Sequence, residues 1–122
     1  MPKVKHNVYI FADLVGSTSY KERHSYQIGW SKVKKHCKIV IDEIMRNGGC
    51  VFKVVGDGVI GKFEGYDQNV YNNALTTAFS ILLLIDRYNE RHGLKNEVKS
   101  EDKIETKIGI GFGKITSYQY KG

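Results

Sequence analysis

Two short apolar runs, Cys50–Val55 and Val59–Phe63, flank Gly56-Asp57-Gly58. Asp57-Gly58 between such runs is a strong two-residue hairpin signal, because glycine adopts left-handed backbone without a Cβ penalty. The rest of the fold must therefore accommodate an antiparallel pair with an acid, Asp57, at its tip. A second acid occupies a related position near the N-terminus. Val8-Tyr9-Ile10-Phe11-Ala12 reads as a buried strand, so Asp13 emerges at its C-terminal edge. The backbone N–H groups of Leu14 to Thr18 that follow are free to face an anion. Strand, acid, then exposed amides is a layout suited to holding a metal beside a phosphate.

Between these acids the apolar positions Trp30, Val33, Cys37, Val40, Ile41 and Ile44 recur at helical spacing. Lysines together with Asp42, Glu43 and Arg46 fill the other face, and Asn47-Gly48-Gly49 ends the helix. Ser19 to Gly29 reads as a connection with partial helical character. A second helix is predicted from about Gln68 to Arg91, where Val70, Ala74, Ala78, Ile81, Leu82 and Ile85 form an apolar stripe that Leu75, Phe79 and Leu83 widen. A stripe this broad points to burial on more than one side, as in a subunit contact. His92-Gly93 closes the helix and Leu94 to Lys103 is a charged connection. Ile104, Thr106, Ile108 and Ile110 then alternate with Glu105, Lys107 and Gly109 as a fourth strand reaching about Ile115. The order is βαββαβ, the split pattern of an α+β ferredoxin-like domain with both helices on one face of an antiparallel sheet. In that topology the first strand lies beside the hairpin, so Asp13 and Asp57 approach each other.

With 122 residues the chain is read as one domain spanning 1–122. The excess of 19 Lys and Arg over 13 Asp and Glu gives +6, compatible with a polyanionic partner. The lysines at 32, 34, 35 and 38 read as one solvated helix face, and no RNP-like run with stacking aromatics is present, so nucleic acid is not the expected partner. Cys37 and Cys50 lack metal-ligand spacing and read as reduced core thiols of a cytoplasmic protein. His6, His24, His36 and His92 show no mutual metal spacing and read as surface or boundary residues. Tyr118 and Tyr120 could stack on a base, although strand-end aromatics usually pack. The N-terminus is not a signal peptide, and Ile81-Leu82-Leu83-Leu84-Ile85 is far short of the roughly 20 apolar residues of a membrane span.

Either acid alone is explained by its turn. Two strand-edge acids, each near glycine and brought together by the topology, have a chemical use: magnesium is commonly held by one or two carboxylates plus substrate phosphates, and a two-ion site clamps both oxygens of a phosphoryl-type transfer.

The segments Phe11-Ala12-Asp13-Leu14-Val15-Gly16-Ser17-Thr18, Phe52-Lys53-Val54-Val55-Gly56-Asp57-Gly58-Val59-Ile60-Gly61-Lys62-Phe63 and Lys107-Ile108-Gly109-Ile110-Gly111 resemble the successive signatures of class III nucleotide cyclase catalytic domains, in family order. The resemblance implies a reaction in which the 3′-hydroxyl of a nucleoside triphosphate attacks its own α-phosphate, releasing pyrophosphate and a 3′,5′-cyclic monophosphate. It implies Asp13 and Asp57 as catalytic metal carboxylates for two Mg²⁺ or Mn²⁺ ions, with the backbone carbonyl of Leu14 completing one ion's shell. Gly16, Ser17 and Thr18 would present amides to the phosphates. Lys53 falls where family members choose their base, and lysine there resembles the adenylate type; a solvent-facing strand lysine is the equal alternative. Small stand-alone members with a Trp-containing first helix also resemble bacterial Pycsar-type pyrimidine cyclases, which make cyclic CMP or cyclic UMP in antiphage defence, so the base stays open.

The family also implies a head-to-tail homodimer with active sites at its interface. Family domains continue beyond the fourth strand to a further base contact, an asparagine and an arginine, so the chain is expected to be truncated at the C-terminus and weak or inactive by itself, each such group being worth about two to three orders of magnitude in rate. The competing expectation is a cyclase-like module that binds nucleotide or dimerises without turnover.

Overall fold

The structure is a computed structural model, and it describes residues 3–16, 26–93 and 103–117. Strands β1 (Lys3–Leu14), β2 (Cys50–Val55), β3 (Gly58–Glu64) and β4 (Thr106–Ser117) form one antiparallel sheet in the order β2-β3-β1-β4. Helices α1 (Tyr26–Arg46) and α2 (Gln68–Arg91) cover one face. This is the expected α+β, ferredoxin-like βαββαβ arrangement.

The period-2 alternation of β1 sorts the two faces. Val8, Ile10, Ala12 and Leu14 are buried against Val33, Val40 and Ile44 of α1 and Ala74, Ile81 and Ile85 of α2. Tyr9, Phe11 and Asp13 project to the opposite, open face. Close helix packing over β3 depends on Gly61, where a Cβ would lie 2.7 Å from Ile44 Cδ1 and 2.8 Å from Ile10 Cγ2. Asp67 caps α2, its carboxylate accepting from the Val70 amide at 3.0 Å.

Several expectations shift. Strand β1 begins five residues before Val8, since the long β4 offers it a continuous ladder from Lys3↔Ser117 to Leu14↔Thr106. Helix α1 begins at Tyr26, inside the segment read as a connection; 17–25 lie outside the described residues. The fourth strand starts at Thr106 rather than Ile104, because both backbone polar groups of buried Ile104 bond to the Asn89 side chain, at 2.9 Å each. Of the residues read as widening the α2 stripe, Phe79 and Leu83 are exposed and Leu75 is half-buried; Leu82 of the stripe itself is exposed, and the buried line is Ala74, Thr77, Ile81, Ile85 and Asn89. Glu43, read as solvated, is buried with its carboxylate 3.5 Å from the Arg46 guanidinium. Cys37 packs on the core as expected, whereas Cys50 is exposed on the edge strand.

Candidate functional site

The hairpin loop consists of two residues, Gly56 and Asp57, with Val55 paired to Gly58 across it. Gly56 has φ +56°, and no described residue other than glycine has positive φ, so the turn follows the II′ pattern with glycine at its first central position. Gly58 is thus the first residue of β3 rather than part of the loop. It pairs with Asp13 on its other side.

Residues paired directly across antiparallel strands project to the same face. One row on the open face therefore reads Val55–Gly58–Asp13–Lys107, and the next reads Lys53–Ile60–Phe11–Gly109. The missing side chain at Gly58 leaves room for the Asp13 carboxylate, since a Cβ there would stand 3.1 Å from Asp13 Oδ1. Asp57 comes immediately before Gly58, so the register brings its backbone next to that of Asp13. A hollow of about 240 Å³ opens beside Asp13, lined also by Phe11, Val55 and Ile60.

Lys53 owes its place to a β-bulge in β2, between Val51↔Gly61 and Lys53↔Ile60. Without the extra residue, simple alternation would put Lys53 on the same face as Val51, which packs toward the core. With it, Lys53 and Phe52 both belong to the open face. The Phe52 ring meets Tyr9 edge-on at 5.5 Å.

Behind the acids lies a residue read from sequence as surface or boundary. His36 of α1 is fully buried, with its Nε2 2.8 Å from Thr106 Oγ1, and Thr106 Oγ1 donates to the Asp13 carbonyl at 3.3 Å. Burial pushes the imidazole below its ordinary pKa of 6.5, while the carboxylates of Asp13 and then Asp57 pull the other way. The neighbouring Cys37 thiol is raised, chiefly by burial and secondarily by Asp57. Both acids thus act electrostatically on the same turn of α1. The His36 Nδ1 is buried without a partner among the described residues.

Leu14 is buried through its side chain, leaving only its backbone for a ligand role, and the next amide, Val15, donates to the Glu105 carbonyl at 2.9 Å. Gly16 occupies an exposed turn with φ +71°. Ser17 and Thr18, the other candidate phosphate-binding residues, lie outside the described residues, as do His24, Tyr118 and Tyr120. Among the described residues no group of three or more His, Cys, Asp or Glu is gathered to hold a metal. Two carboxylates plus a backbone carbonyl are a hard-oxygen set of the kind that suits Mg²⁺ or Mn²⁺ bound together with substrate phosphates. Three residues of this end had no individual site role in the sequence reading: His36, Thr106 and Lys107, the last of which opens the third cyclase-like segment. Lys107 alone had a signal, the β4 alternation that places it on the face opposite Ile108.

Neither a protein-family model nor a curated protein matches the sequence. Solved structures do match the fold. The adenylyl cyclase CyaB from P. aeruginosa superimposes with a TM-score of 0.79 at 17% identity, over 100% of this chain and 63% of that one. The guanylyl cyclase Cya2 gives 0.78 at 20%, over 98% and 60%. The non-canonical dimeric guanylyl cyclase domain of the RhoGC fusion protein from the aquatic fungus Blastocladiella emersonii gives 0.71 at 17%, over 99% and 64%. The chain spans less than two thirds of the length of each of these structures. No described helix is long and apolar enough to cross a membrane. At these identities the likeness speaks for architecture, and on it the chain has the class III nucleotide cyclase fold.

Proposed function

We propose that the chain is the catalytic core of a metal-dependent nucleotide cyclase that converts a nucleoside triphosphate into a 3′,5′-cyclic monophosphate and pyrophosphate. The observation that carries this reading is the Asp13↔Gly58 register, which sets the Asp13 carboxylate against the side-chain gap next to Asp57 on the open face of a cyclase-type sheet.

In this reading Asp13 and Asp57 hold two divalent cations, Mg²⁺ or Mn²⁺, with the Leu14 carbonyl as a further ligand. Bound there, such ions would lower the pKa of the ribose 3′-hydroxyl and neutralise the triphosphate. The chain's own residues orient the substrate. The turn amides at Gly16, continuing to Ser17 and Thr18, receive the β- and γ-phosphates, and Lys107 beside Asp13 contributes a cation to the same end. Lys53 meets the base from the open face, which favours adenine and hence cyclic AMP. The cyclases of pyrimidine nucleotides in antiphage defence are the second assignment, supported by Trp30 in α1.

A head-to-tail homodimer completes the reading. Phe11, Phe52 and Val55, 46%, 49% and 51% exposed, surround the acids with apolar surface that a second subunit would cover. The proposed compartment is the cytoplasm.

The test is to incubate the protein with ATP, GTP, CTP and UTP together, with Mn²⁺ or Mg²⁺, and to analyse products by chromatography and mass spectrometry. A single cyclic monophosphate that falls by about 10²-fold or more in Asp57→Ala is expected. Cyclic AMP assigns the base contact to Lys53; cyclic CMP or cyclic UMP moves the protein to pyrimidine signalling. Absence of product from all four, with metal-dependent nucleotide binding retained, would replace the enzyme by a non-catalytic nucleotide-binding module.

A further inference from the structure

We infer that His36 is a positioning residue for the acid-bearing end of β1, acting through the Thr106 hydroxyl on the backbone of Asp13. The inference rests on the proposed role of Asp13 and Leu14 as cation ligands for its functional meaning, but its structural content stands on the hydrogen bonds alone.

The direction of each bond can be worked out. Thr106 has one hydroxyl proton and rotates to suit its surroundings. A carbonyl can only accept, so in the bond to the Asp13 carbonyl that proton belongs to Thr106. The His36 Nε2, 2.8 Å from the same oxygen, must then be the donor. Its donation occupies a lone pair of the hydroxyl oxygen and leaves the proton no better acceptor than Asp13. A freely rotating side chain becomes a fixed strut from α1, through β4, to β1. In the neutral ring the proton on Nε2 leaves Nδ1 as an acceptor, and Nδ1 is the buried atom without a partner among the described residues. A side chain kept only for packing would carry no such orphan; phenylalanine or leucine would fill the space.

What the strut holds is a short stretch of backbone. The Asp13 carbonyl is fixed by Thr106, and two residues on, the Val15 amide is fixed by Glu105 at 2.9 Å. Between them lies Leu14 with its carbonyl, and the Asp13 Cα, which aims the carboxylate, is bonded directly to the anchored carbonyl carbon. Groups behind metal ligands that set their orientation typically change metal affinity about 10–100-fold when removed. His36 and Thr106 belong to different elements, so the acid end of β1 is tied both to α1 and to β4.

The experiment compares the protein with His36→Phe, which keeps the ring volume without a donor, His36→Gln, which restores a donor at similar reach, Thr106→Val, and the His36→Phe/Thr106→Val double variant. Three quantities are read: hydrogen-exchange protection of the Val15 amide against that of Ile10 in the same strand, Mn²⁺ affinity, and the thermal unfolding midpoint. In His36→Phe and Thr106→Val we expect Val15 protection to fall roughly tenfold and Mn²⁺ affinity to fall about tenfold. Ile10 protection should hold, with the His36→Phe midpoint unchanged or raised. His36→Gln should recover both losses, and the double variant should be no worse than either single one. Unchanged Val15 protection in His36→Phe overturns the inference. So does a loss shared by Ile10 and the midpoint, which would mean packing alone. If the unaltered protein binds no Mn²⁺ yet Val15 responds as expected, the strut stands and the assignment of the acids to metal falls.

Discussion

His36 couples the site to pH in a direction fixed by its burial. Its folded pKa lies below 6.5 because the desolvated ring resists charging, with Asp13 and Asp57 opposing that only in part. The unfolded chain binds a proton below about pH 6.5 that the folded chain does not. Stability is therefore unaffected by His36 above that pH and declines as pH falls from 6.5 toward the folded value, at up to about 1.4 kcal/mol per unit. Urea unfolding should show lower stability at pH 5.5 than at pH 7.5, by a margin that shrinks in His36→Phe. A pH-independent difference between the two proteins would contradict the assignment. Asp13 and Asp57 were legible in the sequence because turns advertise themselves through glycine and the end of an apolar run. His36 was not: it follows Lys34 and Lys35 and is as polar as they are, although three residues after Val33 it shares the buried arc. Only its partner, 70 positions away, distinguishes a structural imidazole from a solvated one.

Elements were read more completely than residues, since periodicity is carried by many side chains at once. Helix α2 has the bounds read from its apolar stripe, and the hairpin lies where glycine and aspartate placed it. The register of the hairpin against α1 supplies a stability test. Gly61→Ala would drive a methyl into Ile44 and Ile10, both fully buried, and should cost about 1–3 kcal/mol by denaturant unfolding. The start of β4 was misjudged because Ile104 continues the alternation of the strand without its ladder. Its amide and carbonyl pair instead with Asn89, a residue 3% exposed inside α2. Asn89→Ala leaves two backbone groups unpaired in the interior, and a loss of roughly 2–3 kcal/mol is expected from the shift in urea midpoint. A change below about 0.5 kcal/mol would mean that water replaces both bonds. The polar Asn89 sits in an apolar stripe, so composition alone could not say that it was buried.

At the scale of the molecule, one sheet face is roofed by helices and, among the described residues, no helix packs on the other. Gly109, Gly111 and Gly113 alternate along β4 on that other side, where the Tyr9 and Phe11 rings flank them. Such a surface beside the acids suits the proposed subunit contact. Sedimentation of Phe52→Glu should show a shift from dimer toward monomer, with the unfolding midpoint of the dissociated protein changed by no more than about 0.5 kcal/mol. Equal dimerisation in the variant would move the contact elsewhere. The sequence foresaw the topology. The resemblance placed Lys53 at the site, but the bulge that sets it opposite Ile60 was not legible, since alternation alone has no means of counting an unpaired residue. The bulge in β2 takes four steps from Val51 to Val55 while β3 takes three from Gly61 to Gly58. The hairpin thus contains one spare letter. Deleting Phe52 should leave Lys53 opposite Ile60 and Asp57 at the tip, whereas losing a residue from β3 would turn part of that strand inside out; of the two strands, only β2 holds a position whose loss keeps every side chain on its face.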